Sequence, residues 1–164
     1  MPVFMWEDEE RFVVIGFDES RVEGDGIWIR QAYYGYVRIR VTSHGKAYLT
    51  VKSRSEKKRE KFQFEIPFFY GLSAFFVSRA KYMLEKIRYK IDGWDVDIFQ
   101  GDKLGGLVVA ELERQSASCF DDITFPREFK GSNRVRVTGN AWFRNHRLAR
   151  AKRIPQLDSP PVAV

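Results

Sequence analysis

The sequence predicts an α+β fold that is mainly β: one antiparallel sheet closed on itself as a barrel, with flanking helices. Three observations predict it. Most of the chain reads as short apolar–polar alternations of period two, as strands with two unlike faces do. A single long stretch changes to a period of three to four, and it opens with proline. The polar strand positions carry charges paired by sign, a pattern that a face turned to water has no reason to select.

At 164 residues the chain suits one domain with a real core. We assign residues 1–150 to that domain and read residues 151–164, with three prolines, as a loose tail. Lys and Arg number 28 against 22 Asp and Glu, and the net charge of +6 suits an anionic partner while being modest for a nucleic-acid-binding domain. Cys119 is the only cysteine, which excludes an intramolecular disulfide and a cysteine zinc site and fits a reducing compartment. The opening "MPVFMWEDEE" turns acidic too soon for a signal peptide, and no apolar run approaches the ~20 residues of a membrane span. The expectation is a soluble cytoplasmic protein, monomer or homodimer, with no membrane partner.

In chain order, "EDEERF" leads into "VVIGF", a strand with Glu7, Glu9 and Arg11 on one face and Phe12 and Val14 on the other. The segments "IWIRQAYYGYVRIRV" and "AYLTVKSR" alternate on either side of the turn "TSHGK" and read as antiparallel strands. "RSEKKREKFQFEI" opens as a charged, solvated hairpin end and continues as a strand, with Phe62, Phe64 and Ile66 set against Lys61, Gln63 and Glu65. From Pro67 to about Leu84 the period is helical, carried by Phe68, Leu72, Phe75, Phe76, Ala80 and Met83. Then "EKIRYKI", "WDVDIFQG" and "LVVAELER" return to strands, separated by Gly93 and by "GDKLGG". "CFDDITFPREFKGSNRVRV" is irregular, and "AWFRNHRLARA" is a candidate short terminal helix.

The charge pattern is the informative one. Arg38 and Arg40 alternate with Val37, Ile39 and Val41, and Lys86 and Arg88 flank Ile87. Asp95 and Asp97 flank Val96, Glu111 and Glu113 flank Leu112, and Lys52 shares a face with Thr50. Like charges at i and i+2 repel, so something must offset them. Divalent cations beside a polyanion would do so, with carboxylates holding the metal and Arg and Lys neutralising phosphate oxygens. Closing the sheet would gather these charges around a lumen and turn the apolar faces outward under helices.

The same residues resemble the CYTH or triphosphate tunnel metalloenzyme superfamily, in particular its bacterial, inorganic-triphosphatase-like members. "EDEERF" is similar to that family's opening E-x-E-x-K, with arginine in the last place. "IRQAYY", "VRIR", "YLTVK", "EKIRY", "WDVDIFQG", "LVVAELE" and "VTGNAWFRN" resemble its later motifs in order, from roughly Met5 to Leu148. The resemblance implies an eight-stranded antiparallel tunnel in which Mg²⁺ or Mn²⁺ positions a triphosphate for hydrolysis of its terminal phosphoanhydride. It implies Glu7, Glu9, Glu111 and Glu113 as metal ligands, with Asp95 and Asp97 as candidates for a second ion. Arg11, Arg38, Arg40, Lys52, Lys86 and Arg88 are the implied phosphate contacts, and Tyr33, Lys52 and Lys86 the implied catalytic groups.

The chain departs from the pattern at Arg11, at Lys61 and Gln63 where many members carry glutamates, and at Arg136 and Asn140 where an acidic E-V-T-x-D is common. No base-recognition motif is present, so inorganic tripolyphosphate is the expected substrate. A class IV adenylate cyclase, a thiamine-triphosphatase, a nucleoside-triphosphatase and a non-catalytic polyphosphate- or nucleotide-binding module are the alternatives. RNA binding, suggested by Trp28, Tyr33, Tyr34 and Tyr36 among basic residues, is the weaker reading, because aromatics on alternating strands are more often core. Cys119 has no histidine in a matching motif to activate it, and His44 and His146 are read as surface residues.

Overall fold

A computed structural model describes residues 3–6, 9–52, 60–77, 82–113 and 123–158. Glu7, the charge run over 53–59, the end of the expected helix at 78–81, Cys119 and the chain beyond 158 lie outside those residues.

Ten strands among the described residues form one antiparallel sheet. They are β1 (Val3–Trp6), β2 (Glu9–Ile15), β3 (Ile27–Tyr34), β4 (Val37–Thr42), β5 (Ala47–Lys52), β6 (Glu60–Ile66), β7 (Met83–Ile91), β8 (Trp94–Phe99), β9 (Val108–Glu113) and β10 (Asn133–Arg136). Their order is β1-β6-β5-β4-β3-β7-β8-β9-β2-β10, with β1 and β10 at its two ends. The expected count of eight is thus corrected to ten. The opening run of chain is divided into β1 and β2, and the irregular "SNRVRV" segment supplies β10 as a short edge strand on β2. β1 pairs with β6 while β2 pairs with β9, so the chain from Val3 to Ile15 hydrogen-bonds to both flanks of the sheet.

Local chemistry explains the hairpins. Ile91 pairs with Trp94 across Asp92 and Gly93, both at positive φ (48° and 84°), the two-residue turn whose twist matches that of the strands it joins. The helix is shorter than its period suggests. α1 runs Phe68–Val77, whereas Met83 and Leu84 belong to β7, where Leu84 is buried beside Gln31 of β3. An apolar pair at a helix–strand junction satisfies either period, and pairing with β3 decides it. The terminal helix likewise reduces to a 3-10 turn at Ala141–Phe143 and one turn of helix, α2 (Asn145–Leu148).

One face of the sheet is apolar and covered in two places. Phe12, Val14, Trp94, Val96 and Ala110 pack under the segment that carries Phe125 and Phe129, with Trp94 stacked on Phe125 at a centroid distance of 5.2 Å. Ala32, Val41 and Ala47 form a second cluster with Phe75 of α1. That helix sits close because Gly71 lacks a side chain: a Cβ there would lie 2.5 Å from the Ala47 Cβ and 3.1 Å from a Val41 methyl carbon. Gly71→Val is therefore expected to cost about 1–3 kcal/mol by overpacking, measured as a fall in the urea midpoint at unchanged m-value.

No helix among the described residues is long and apolar enough to cross a membrane. Past α2 the chain does not leave the domain at once: Ala151 packs on the core, and residues 154–158 line an opening with Val13, Leu107 and Phe143.

Candidate functional site

The opposite face of the sheet buries charge. Lys86 and Asp97 are completely shielded from solvent, as are Gln31 and Thr50, and Arg38 and Glu111 retain only 5% and 8% exposure. Strand register places them together. Tyr33 faces Arg38, Gln31 faces Arg40, Arg38 faces Thr50, Arg88 faces Asp97, Asp95 faces Glu111, and Arg11 faces Glu111. One end of this face is instead apolar, with Val13, Leu84, Phe99 and Val109 capped by Phe143 and Leu148.

Two halves of the charged face differ in how they are neutralised. On β7, β8, β9 and β2 every buried cation meets an acid. Arg11 bridges Glu9 and Glu111, with its Nε donating to Glu111 at 2.9 Å. Lys86 donates to Asp97, and to the Asn145 side chain at 3.1 Å. Arg88 takes both oxygens of Asp97, at 2.6 and 2.7 Å, and also reaches Asp95. Asp95 is completed by Lys90 at 2.6 Å.

On β4 the situation is different. Arg38 donates through Nη2 to the Thr50 hydroxyl at 3.2 Å, while its buried Nε has no acceptor. Arg40 is received by Gln31, whose amide is assigned with its oxygen toward the guanidinium, 2.8 Å from Nε and 3.0 Å from Nη2. Neither guanidinium has a carboxylate partner among the described residues. Two neighbouring positive charges are thus held in the interior by neutral groups alone.

The ionisation behaviour follows. Burial, then the nearby Arg38 and Arg88, lower the Arg40 pKa to about 9. Burial lowers Lys86 to about 8 against the attraction of Asp97. Burial works against ionised Asp97 as well, but Lys86 and Arg88 hold its carboxyl below the usual range. Arg88 moves the other way, because Asp97, Glu111 and Asp95 outweigh its burial. His146 is not the surface residue expected: burial, then Lys52 and neighbouring arginines, push it down to about 4, so it is neutral at pH 7.

Sequence-predicted residues converge here: Arg11, Tyr33, Arg38, Arg40, Lys52, Lys86, Arg88, Asp95, Asp97 and Glu111 share one face of the sheet. Glu9 and Glu113 are direct cross-strand neighbours on it. Their oxygen donors suit a hard divalent cation, and like charges facing each other across a strand pair call for a positive group between them. Among the described residues, no three metal-binding groups gather at one point, and Arg11 supplies the positive charge between Glu9 and Glu111.

Two sequence departures lie off this face. Arg136 forms a two-bonded ion pair with Glu10, at 2.9 and 3.2 Å, on the apolar face, and Asn140 caps the 3-10 turn by accepting from the Trp142 amide at 3.0 Å. Sequence reasoning missed Gln31, Thr50 and Asn145 as members of the site. Their signal was alternation: Gln31 and Thr50 are polar residues in phase with the charged positions of their strands.

No model of a known protein family matches the chain, and no curated protein matches it. Among solved structures, it is similar to a conserved hypothetical protein from Pyrococcus furiosus, at 19% identity over 66% of this chain and 81% of that one, with a TM-score of 0.40.

Proposed function

We propose that this chain binds a linear triphosphate on its charged face and, with a divalent cation, hydrolyses the terminal phosphoanhydride, inorganic tripolyphosphate being the favoured substrate. The observation that carries the reading is the pair of neighbouring guanidiniums, Arg38 buried and Arg40 half-buried, without a carboxylate between them among the described residues. Such a pair is destabilising in an empty protein and favourable beside an anion with several acceptor oxygens. The resemblance to triphosphate tunnel metalloenzymes gives the anion its identity. The run Val3–Ile15, bonded to both flanks of the sheet, supports a tunnel wrapped around this face.

In this reading Arg38, Arg40, Lys52, Lys86 and Arg88 hold phosphate oxygens and take up the charge developing on the leaving pyrophosphate. Tyr33 and Lys52 act at the reacting phosphate. Mg²⁺ or Mn²⁺, held by Glu7, Glu9, Glu111 and Glu113 in place of the Arg11 bridge, would supply electrostatic stabilisation of the phosphate oxygens. Asp95 and Asp97 serve the cations Lys86 and Arg88 in preference to a second ion. The protein acts in the cytoplasm as a monomer or homodimer, on a small molecule, with neither nucleic acid nor membrane as partner.

Phosphate release from tripolyphosphate, ATP and thiamine triphosphate, each with Mg²⁺, Mn²⁺ or chelator, tests the reading, with calorimetric binding in parallel. Metal-dependent release from tripolyphosphate is the expected result, and formation of a cyclic nucleotide from ATP would assign a cyclase instead. Binding with no release from any substrate would leave a phosphate-binding module, which the Arg11 bridge between Glu9 and Glu111 favours as the second reading.

Lys86 makes binding depend on pH. Its folded pKa of about 8 lies below the ordinary 10.5, so between those values the unfolded chain holds the extra proton and stability rises with pH. A triphosphate beside Lys86 favours the charged form. Affinity for tripolyphosphate is therefore expected to fall as pH rises through 8, with proton uptake on binding at pH 8–9, seen as a calorimetric heat that depends on the buffer. Lys86→Met should remove that component of the uptake.

A further inference from the structure

Gln31 is completely buried, polar and in phase with the charged positions, yet it is uncharged. Its amide oxygen accepts from Arg40 Nε at 2.8 Å and Nη2 at 3.0 Å. That choice is forced by Arg40, which has only donors to offer. It obliges the amide nitrogen to face Tyr33, where it donates to the phenol oxygen at 3.0 Å. Tyr33 is itself buried, at 6% exposure, and its oxygen is now an acceptor. The phenol proton must point elsewhere. Among the described residues the Tyr33 hydroxyl makes no hydrogen bond to an acceptor other than Gln31, and the buried Nε–H of Arg38, the cross-strand neighbour of Tyr33, makes none.

We propose that Gln31 is a positioning residue which, by spending its oxygen on Arg40 and its amide N–H on the Tyr33 oxygen, makes the Tyr33 hydroxyl an obligate hydrogen-bond donor to a phosphate oxygen. The proposal rests on the triphosphate reading for the identity of its ligand. The chain of bonds runs in one direction, from Arg40 through Gln31 to Tyr33, and ends in a donor. Together with Arg38 Nε it leaves donors facing the interior with no acceptor of their own, a lining that suits a fully deprotonated oxyanion and disfavours any group that must itself donate.

Gln31→Glu tests this with minimal change of shape. The carboxylate still receives Arg40 but cannot donate to Tyr33; it accepts the phenol proton and reverses the last bond. By calorimetry, tripolyphosphate affinity is expected to fall about 10- to 100-fold, the range for a lost hydrogen bond to a charged group. Tyr33→Phe should weaken binding by a similar factor, and adding it to Gln31→Glu should cost little more. Additive losses, or an unchanged affinity in Gln31→Glu, would overturn the proposal. Gln31→Met, which removes both bonds, gives the same reading if the charged variant does not fold.

A second measurement needs no triphosphate turnover. In protein carrying ¹³Cζ-labelled tyrosine, one of seven tyrosine resonances is assigned to Tyr33 by its loss in Tyr33→Phe. Gln31→Glu should move that resonance toward the phenolate position in the ligand-free protein, and an unmoved resonance would sink the Gln31–Tyr33 link. Tripolyphosphate should move it in the wild type. If the wild type binds no tripolyphosphate at all, the triphosphate reading fails, while the ligand-free shift still decides whether Gln31 directs the Tyr33 proton.

Discussion

Arg38→Met is expected to weaken tripolyphosphate binding by about 100-fold while leaving the folded protein as stable as before or more stable by about 1 kcal/mol. Both halves come from the same observation. The Arg38 guanidinium is buried, its Nε is unsatisfied, and its nearest charged neighbours on the strand face include another guanidinium, Arg40, whose pKa it lowers. In the free protein the side chain thus carries an unpaid desolvation cost, and methionine of similar length removes it without opening a large cavity. With the anion bound, the same charge is compensated, and deleting one member of a buried, hydrogen-bonded charge pair costs about 2–5 kcal/mol. Calorimetry and urea unfolding on the same preparation separate the two. A variant that loses more than 2 kcal/mol of stability and keeps its affinity would make Arg38 a structural residue.

Asp97→Asn should have the opposite signature. Asp97 is fully buried and serves two cations, accepting from Lys86 and, through both oxygens, from Arg88. Removing its charge leaves Lys86 in the interior without its carboxylate partner, and Arg88 with Asp95 and the more distant Glu111, 3.4 Å away, as compensation. The expected loss is about 3–5 kcal/mol, a large share of the 5–15 kcal/mol typical of a domain and equivalent to roughly 10 °C in melting temperature. Scanning calorimetry checks it, and Lys86→Met combined with Asp97→Leu should recover much of the loss, because an apolar pair carries no desolvation cost.

The sign of the pH effect is fixed too. Burial opposes ionised Asp97, but Lys86 and Arg88 keep its folded pKa below the ordinary 3.8. Its contribution is present above that value and is lost as the pH falls through the folded pKa. Acid unfolding of the wild type below about pH 4 should therefore be steeper than that of Asp97→Asn.

These expectations show what could be read from the chain and what could not. The two-face strands were legible, because period two is a property of the backbone and survives any tertiary arrangement. Their phase also told which residues share a face: Arg38, Arg40, Lys86, Arg88, Asp95, Asp97 and Glu111 were grouped by alternation, and strand register puts them together. The end of the helix was not legible, since Met83 and Leu84 suit a helical stripe and a strand equally until β3 pairs with β7. Nor was the division of the opening chain into β1 and β2, or β10 as a partner of β2, each of which depends on pairing between residues far apart in sequence.

The site divides in the same way. Sequence by itself determined that this protein has a strand face rich in like-signed charge and an apolar face to set against the covering elements, because side-chain alternation is a local fact. Only the tertiary structure decided which charges neutralise one another. Arg11 meets Glu9 and Glu111, Lys86 and Arg88 meet Asp97, and Arg136 is drawn to Glu10 on the other face. Arg38 is left with Thr50 and Gln63, and Arg40 with Gln31. The physical reason is that ionic partnership falls steeply with distance and with exposure, and both are set by register between strands that the sequence alone does not align.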